Sequence, residues 1–455
     1  MSRKLPLPLP LPEPLASLPR SNLLYPFSSP IHPLQTLSST AAAAADRKRK
    51  TKITIHAKRE DHSSPLACAG NKYRKLEYMI PDILSPSPRY GAGIGGELPA
   101  SLSTSRPGPG SGSETDKDPS QDQSRITTLV TEGAIQSNHT VQVASVASKL
   151  GLESVVLLHK ATGGGLAASS DKNSFLRTGN VQIVKLLGAD VRILEPPSPP
   201  KTGDDYVQDV LTELRRSGKN PYWIPSGASL HPLGGLGYAR CAFEIVEQEK
   251  DLPAPQSQSE GSRKEDRTRV ASRFDYIFVA CGSGSTLAGL IAGFKLHEKT
   301  NPDLPANTNS NHRPRPRRII GILTSPTARK AYHEERILRF ARAAGAQIGL
   351  DPEKDITADD VILDDRFTGT RYGVLDRETR EALKLFAEGE EVLLDPVYTA
   401  KVGRGVLHWV NGGEIERDVA SFQGQGKGEG RGEEEVNVLV IHTGGQSALG
   451  AYADV

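Results

Sequence analysis

The apolar positions of this chain fall into short runs separated by helical stripes. Residues 127–130, 155–158, 191–194, 276–280, 318–323 and 436–441 each read as a short, largely apolar strand. Between them, a helix around 139–150 is closed by Gly151, one over 181–187 ends before Gly188, and another begins at Thr286. This alternation predicts a mostly parallel sheet covered by helices on both faces. In such sheets ligands sit at the carboxyl ends of strands, where helices begin. Leu76, Met79, Ile80, Ile83 and Leu84 recur at i, i+3, i+4, i+7 and i+8. That spacing predicts one helix with a single apolar stripe, and Asn71 stands where its N-cap should be.

Other stretches carry no period. Residues 85–124 are Ser, Pro, Gly and charge; about 251–270, 300–317 and 422–435 are similar, and 196–200 is a shorter case. Loops this long are uncommon inside a compact domain, so these segments read as disordered surface insertions. No internal repeat is visible.

Bulk composition narrows the picture a little. With 455 residues there is room for two or three domains, yet 36% hydrophobic content leaves part of the chain outside any core. A net charge of +2 argues against nucleic acid as a partner. The basic run Arg47-Lys48-Arg49-Lys50 precedes strand-like Ile53-Thr54-Ile55 and reads as a solvated loop. Three cysteines (Cys68, Cys241, Cys281) without a CxxC pair fit a reducing compartment and no structural metal. Residues 5–14 alternate Leu with Pro, which cannot form the apolar helix of a secretory signal. Residues 1–45 are loosely like a mitochondrial presequence but carry too many prolines for an amphipathic helix. Cytoplasm is the expected location, with mitochondria the alternative. The weakly charged stretch 274–294 is broken by Asp275 and a Gly/Ser centre, so it divides into strand, loop and helix rather than spanning a membrane.

Candidate chemistry begins at Lys72, where a glycine turn becomes a helix. It lies off the stripe in the first turn. Backbone N–H groups and the positive helix end there make its amine easier to deprotonate, and a neutral amine forms a Schiff base with a carbonyl. A second constellation, Ala280-Cys281-Gly282-Ser283-Gly284-Ser285-Thr286-Leu287-Ala288-Gly289, follows a strand and opens a helix. Such a turn aims N–H and O–H groups at one anion. It lacks the Gly-Lys-Ser/Thr of a Walker loop, and Leu287 stands where the dinucleotide pattern needs glycine. A monophosphate suits it better than a pyrophosphate. The third, Gly133 to Thr140, again joins strand to helix. There Ser137 or Asn138 caps the helix, or the same N–H groups grip a substrate carboxylate. His139 unaided reads as a packing or surface histidine. Further turns lie at Arg371-Tyr372-Gly373, at Asp395-Pro396-Val397-Tyr398-Thr399 and at Ile441-His442-Thr443-Gly444-Gly445, the last at the end of an apolar strand.

A Schiff-base lysine with a monophosphate cup is the combination that pyridoxal phosphate requires. Here the chain resembles the D-cysteine desulfhydrase and 1-aminocyclopropane-1-carboxylate deaminase family, within the fold-type II (tryptophan synthase β-like) pyridoxal enzymes. The matching blocks are Ser29-Pro30-Ile31-His32-Pro33-Leu34, Lys58-Arg59-Glu60-Asp61, Asn71 to Asp82, Gln136 to Thr140, the 281–289 loop, Asp395 to Lys401 and Ile441 to Gly445. The resemblance implies a two-domain α/β fold with parallel-rich sheets flanked by helices. Its large cofactor-binding domain would comprise 21–74 and 226–455, its small domain 75–225, and 1–20 would be a disordered extension. It also implies a homodimer and a small amino-acid substrate.

For the site, the resemblance implies Lys72 as the lysine that carries pyridoxal 5'-phosphate and Lys75 as a phosphate contact. Ser283, Gly284, Ser285 and Thr286 would form the phosphate cup, and Asn138 would hydrogen-bond the ring hydroxyl. Ser137, with Gln136 and His139 of its loop, would hold the substrate carboxylate. Tyr372 and Tyr398 would line the substrate pocket and take part in catalysis, with Thr443 and Gly444 on the substrate side. Thr399 should face the pyridine nitrogen, where the deaminase branch has a glutamate, and Thr443 stands where that branch has leucine. A threonine makes the ring a shallower electron sink, which suffices for β-elimination of sulfide. On these two positions the expected activity is D-cysteine desulfhydration. The alternatives are 1-aminocyclopropane-1-carboxylate deamination and a weakly active cofactor-binding protein. Ala69, Val141 and the stretch 160–175 depart from the family pattern.

Overall fold

A computed structural model describes residues 9–44, 51–91, 125–159, 177–194, 203–253, 272–302, 315–423 and 434–452. Ten strands form two sheets among these residues: β1 (Ile31–Pro33), β2 (Thr51–Arg59), β3 (Thr128–Ala134), β4 (Glu153–His159), β5 (Asp190–Leu194), β6 (Pro221–Ile224), β7 (Tyr276–Cys281), β8 (Arg318–Leu323), β9 (Ile362–Asp364) and β10 (Glu434–His442). The larger sheet runs β1-β2-β10-β7-β8-β9 and the smaller β5-β4-β3-β6. Every pairing is parallel except β1 with β2. The α/β class and the parallel-rich sheets expected from the apolar runs are therefore present. The strand-like 53–55 lies inside the nine-residue β2.

The centre of the larger sheet is buried on both faces, which is why β7, most of β8 and the second half of β10 are apolar. One face packs under α8 (Leu236–Glu249), α9 (Ser285–Thr300) and α10 (Lys330–Gln347), the other under α11 (Arg377–Glu390) and α12 (Thr399–Asn411). Around the smaller sheet lie α5 (Asn138–Leu150), α6 (Gly179–Leu186) and α7 (Gly203–Arg216). Gly151 closes α5 at φ 68°, a left-handed cap that glycine adopts without strain. The 274–294 stretch divides into β7 and α9 as expected, and no described helix is long and apolar enough to cross a membrane.

Several expectations need correction. The 76–84 stripe is not one helix. Helix α3 (Asn71–Glu77) stops at Tyr78, and α4 (Ile80–Ile83) restarts with Pro81 in its first turn, where a missing N–H costs nothing. Leu76, Met79, Ile80 and Ile83 are buried, but Leu84 is exposed. Asn71 is the first helical residue rather than the cap; Gly70 holds that place, and the Asn71 amide donates to Thr286 Oγ1 at 3.1 Å. The amino-terminal extension is structured from residue 9. A short helix, α1 (Glu13–Ala16), buries Leu15 in the main core, and Leu9, Leu11 and Leu18 pack beside it.

The insertion limits also move. Residues 85–91 pack on the smaller sheet, with the Trp223 N–H donating to the Gly91 carbonyl and the Tyr90 ring against His231. Arg315 and Arg317 are anchored by Asp275 and Glu249. The remainder of 85–124, most of 251–270, 300–317 and 422–435, the segments 196–200 and 160–175, and the Arg47–Lys50 run lie outside the described residues.

Candidate active site

The carboxyl ends of both sheets open on one cleft of about 920 Å³. Lys72, Ser137, Asn138, His139, Ser283, Gly284, Thr286, Tyr372, Tyr398 and Thr443 all line it. Parallel topology explains the convergence, since every strand delivers its following turn to the same edge. Lys75, Gln136, Ser285, Thr399 and Gly444 lie behind that lining.

Helix α3 brings its two lysines to the cleft from below. Burial lowers the Lys72 amine, opposed by its contact with Lys75 and by the charge of Asp395. Lys75 is fully buried, and its amine is lowered well below the usual lysine range by burial and then by the charge of Lys72. Lys75 Nζ donates to the Gly227 carbonyl at 3.4 Å. Two hydroxyls converge on that same carbonyl, Ser285 Oγ at 2.8 Å and Ser283 Oγ at 3.3 Å. Gly227 has φ 62°, and a Cβ there would come 2.5 Å from Ser283. Gly284, at φ 83°, opens α9, whose N-cap makes no side-chain hydrogen bond and whose first-turn N–H groups have no partner within the helix.

On the opposite wall, Ser137 is the N-cap of α5 by position, yet its side chain makes no capping hydrogen bond. Asn138 Oδ1 accepts from the Asn180 amide at 2.8 Å, which fixes the side chain against Gly445. His139 is buried, and burial followed by the two lysine charges keeps its imidazole well below the usual histidine pKa. It is therefore neutral at physiological pH. The Gln136 carbonyl accepts from Asn180 at 2.8 Å, and its side chain turns towards Gly373 and Tyr452, away from the lining.

The carboxyl-terminal turns close the cleft. Tyr372 and Tyr398 share a short hydroxyl–hydroxyl contact, with ring centroids 6.1 Å apart. Burial raises both phenols, Tyr372 far above its usual value and Tyr398 to about 12. Both are protonated at neutral pH. Thr399 is buried with its hydroxyl committed to Asp395, donating to Oδ1 at 2.7 Å and accepting the Asp395 N–H at 2.6 Å. The Asp395 carboxylate is also filled, by the N–H groups of Val397, Tyr398 and Thr399. Gly444, at φ 80°, lies on the backbone of Ala69 and Gly70, where a Cβ would come 2.6 Å from the Ala69 oxygen. Thr443 lines the cleft, and its carbonyl accepts the Asn71 N–H at 3.2 Å.

Sequence reading missed the Gly227 turn, although Pro225-Ser226-Gly227-Ala228-Ser229 follows the apolar Tyr222-Trp223-Ile224 as a turn signal would. It also missed Asn180 and the α10 pair His333 and Arg336, which carry no motif.

Residues 27–424 match the family model of pyridoxal-phosphate dependent enzymes. The chain is 33% identical over 425 residues to a 1-aminocyclopropane-1-carboxylate deaminase of Ralstonia nicotianae, covering 93% of this chain and 94% of that protein. A deaminase of the same name from Burkholderia vietnamiensis is 32% identical over 427 residues, covering 94% of each. A crystal structure described as an ACC deaminase homologue aligns with a TM-score of 0.62 at 23% identity, covering 97% of this chain and 96% of that one, a likeness of fold. The chain belongs to the pyridoxal-phosphate dependent enzyme family.

The residues present fit that cofactor. A buried amine, Lys75, and a half-buried one that lines the cleft, Lys72, stand beside a helix amino terminus; Asp395 acts on Lys72 through its charge, and no ion pair forms with either amine among the described residues. Lys75 and two serine hydroxyls have only the Gly227 carbonyl as a common partner there. A dianionic phosphate answers this concentration of donors and positive charge.

Proposed function

We propose that this pyridoxal-phosphate enzyme is a lyase that deaminates 1-aminocyclopropane-1-carboxylate to 2-oxobutanoate and ammonia. The observation that carries the substrate is the similarity to curated deaminases of that name over nearly the whole chain. Bound, the cofactor supplies an electron sink for the bonds at the amino acid's α-carbon. Lys72 would hold it covalently, Lys75 with Ser283, Ser285 and Thr286 would hold its phosphate, and Asn138 would meet its ring hydroxyl.

The chain's own groups then divide the remaining work. Ser137, free of a capping bond, and the N–H groups that open α5 hold the substrate carboxylate. The lowered Lys72 amine is suited to accept and return a proton at carbon. Tyr372 and Tyr398 keep their protons at neutral pH and can donate one to a developing carbanion.

A second reading, D-cysteine desulfhydration to pyruvate, hydrogen sulfide and ammonia, is favoured by Thr399 and Thr443. With threonine at 399, and Asp395 already saturated, no free carboxylate is offered to the pyridine nitrogen from this turn. A shallower sink suits loss of sulfide better than opening of a cyclopropane. The test is a substrate panel on the purified holoenzyme: the cyclopropane acid, D-cysteine, L-cysteine and β-chloro-D-alanine. Release of 2-oxobutanoate supports the first reading. Sulfide and pyruvate from D-cysteine, with no product from the cyclopropane acid, replaces it with the second. No oxo acid from any of them would leave a cofactor-binding protein without lyase activity.

A further inference from the structure

One buried cation in the described structure serves neither the cofactor site nor an ion pair. Lys401 lies just inside α12, whose N-cap is Tyr398, and its side chain is fully buried. Its Nζ donates to the Thr324 carbonyl at 2.9 Å and to the Thr368 carbonyl at 2.5 Å. Thr324 precedes the cleft-lining Ser325, Pro326 and Thr327, and Thr368 precedes the cleft-lining Thr370, Arg371 and Tyr372. One ammonium therefore joins three segments of the cleft wall, including both members of the tyrosine pair. It is not itself among the lining residues.

Stability alone gives little reason for this arrangement. Taking an ammonium out of water is costly, and an apolar side chain of similar length would avoid that cost. Asp376 and Asp395 attract the amine and Arg404 repels it, but burial outweighs them and lowers it to about 8. At neutral pH the group is still mostly charged, so both hydrogen bonds are charge-assisted. A compact point charge with three donors on a flexible stem can gather carbonyls from separate loops as no neutral side chain of that size does.

We propose that Lys401 is a positioning residue: it draws the 324–327 and 368–372 segments onto α12 and so sets the wall that holds Tyr372 against Tyr398 on the substrate side. This rests on the reading of the cleft as the substrate site. The experiment compares Lys401→Met with the wild type, both loaded with pyridoxal phosphate, by hydrogen exchange and steady-state kinetics. Exchange should rise at 325–327 and 370–372 while 137–139 and 283–286 keep their protection. kcat/KM should fall about tenfold, the equivalent of one charge-assisted hydrogen bond, with kcat carrying part of the loss because the wall holds the two proton-donating tyrosines. If Lys401→Met does not accumulate folded, Lys401→Gln keeps two N–H donors without the charge and should show the same pattern with a smaller amplitude. Unchanged exchange at the two loops, or a rise spread evenly over the chain, overturns the proposal. A wild type without turnover would defeat the functional reading, yet the exchange comparison would still decide this one.

Discussion

Helix α3 buries positive charge on two sides, and the two sides are solved differently. Arg74 points into the core, where its guanidinium meets Glu60 and Glu244, donating from Nη2 at 2.8 Å to each. Lys58 donates to Gln248 at 2.8 Å in the same cluster, and the Tyr238 hydroxyl donates to Glu60 at 3.0 Å. Burial pushes Glu244 up, but the Arg74 and Lys58 charges more than reverse this and hold it far below the usual carboxylate range. Lys72 and Lys75, one turn apart on the opposite side, face each other and a carbonyl instead. Their pKa values fall where that of Arg74 rises. A buried charge with its counter-charge in place belongs to the architecture. One without it stands ready for an anion brought from outside.

The largest effect should come from breaking the compensated side. Arg74→Met leaves Glu60 and Glu244 buried with a partner missing, which costs about 3–5 kcal/mol in comparable cases. Denaturant unfolding of the apoprotein measures it directly. A loss below about 1 kcal/mol would mean the cluster is solvated and the contrast with the cleft is false.

The cleft side should respond with the opposite sign. Lys75→Met removes a buried amine that the apoprotein does not compensate, so the apoprotein should become more stable by about 1 kcal/mol. The same variant should bind pyridoxal phosphate at least about tenfold more weakly, because a charge-assisted bond to the phosphate is lost. Thermal unfolding with and without the cofactor reads both effects. A destabilised apoprotein with normal cofactor affinity would return Lys75 to the architectural class.

Neither assignment was fully legible in the sequence. Spacing alone places residues 72 and 75 on one helix face with 74 on another, but the partners of Arg74 lie 14 and 170 residues away along the chain. Long-range pairing of that kind leaves no local pattern. The strands were legible because β7, most of β8 and the second half of β10 are apolar on both faces, and the glycine-rich loop before α9 because turn chemistry is local. The single 76–84 helix failed on Pro81, whose fixed φ and missing N–H favour a fresh start over continuation. Thr399 is the subtler case. Resemblance assigns its side chain to the cofactor, whereas a bond four residues back to Asp395 already occupies the hydroxyl.

The remaining effect is a slope. For an amine whose folded pKa is depressed, the unfolded chain takes up a proton first as pH falls below 10.5, so stability decreases towards neutral pH and increases on raising it. Lys72 and Lys75 titrate as a coupled pair, and the direction belongs to the pair. The carboxylates around Arg74 contribute stability that is present above 4.5 and lost only on acidification, so they are flat in this window. Lys401 slopes the same way as the cleft amines, and the buried thiols of Cys241 and Cys281 slope against them. Lys401 and Cys241 cancel to first order when wild type and Lys75→Met are compared, whereas Cys281 interacts with Lys75 and, once that charge is gone, titrates higher still, so it adds to the relative gain of the wild type. Between pH 7 and 9 the wild-type apoprotein should therefore gain stability relative to Lys75→Met, by at most about 1.4 kcal/mol per pH unit for each proton of difference. Saturating pyridoxal phosphate should flatten the difference, since the phosphate then supports the protonated amine. Parallel curves for the two apoproteins would mean that the Lys72–Lys75 pair carries no uncompensated charge, and the division of helix α3 into two electrostatic sides would fail.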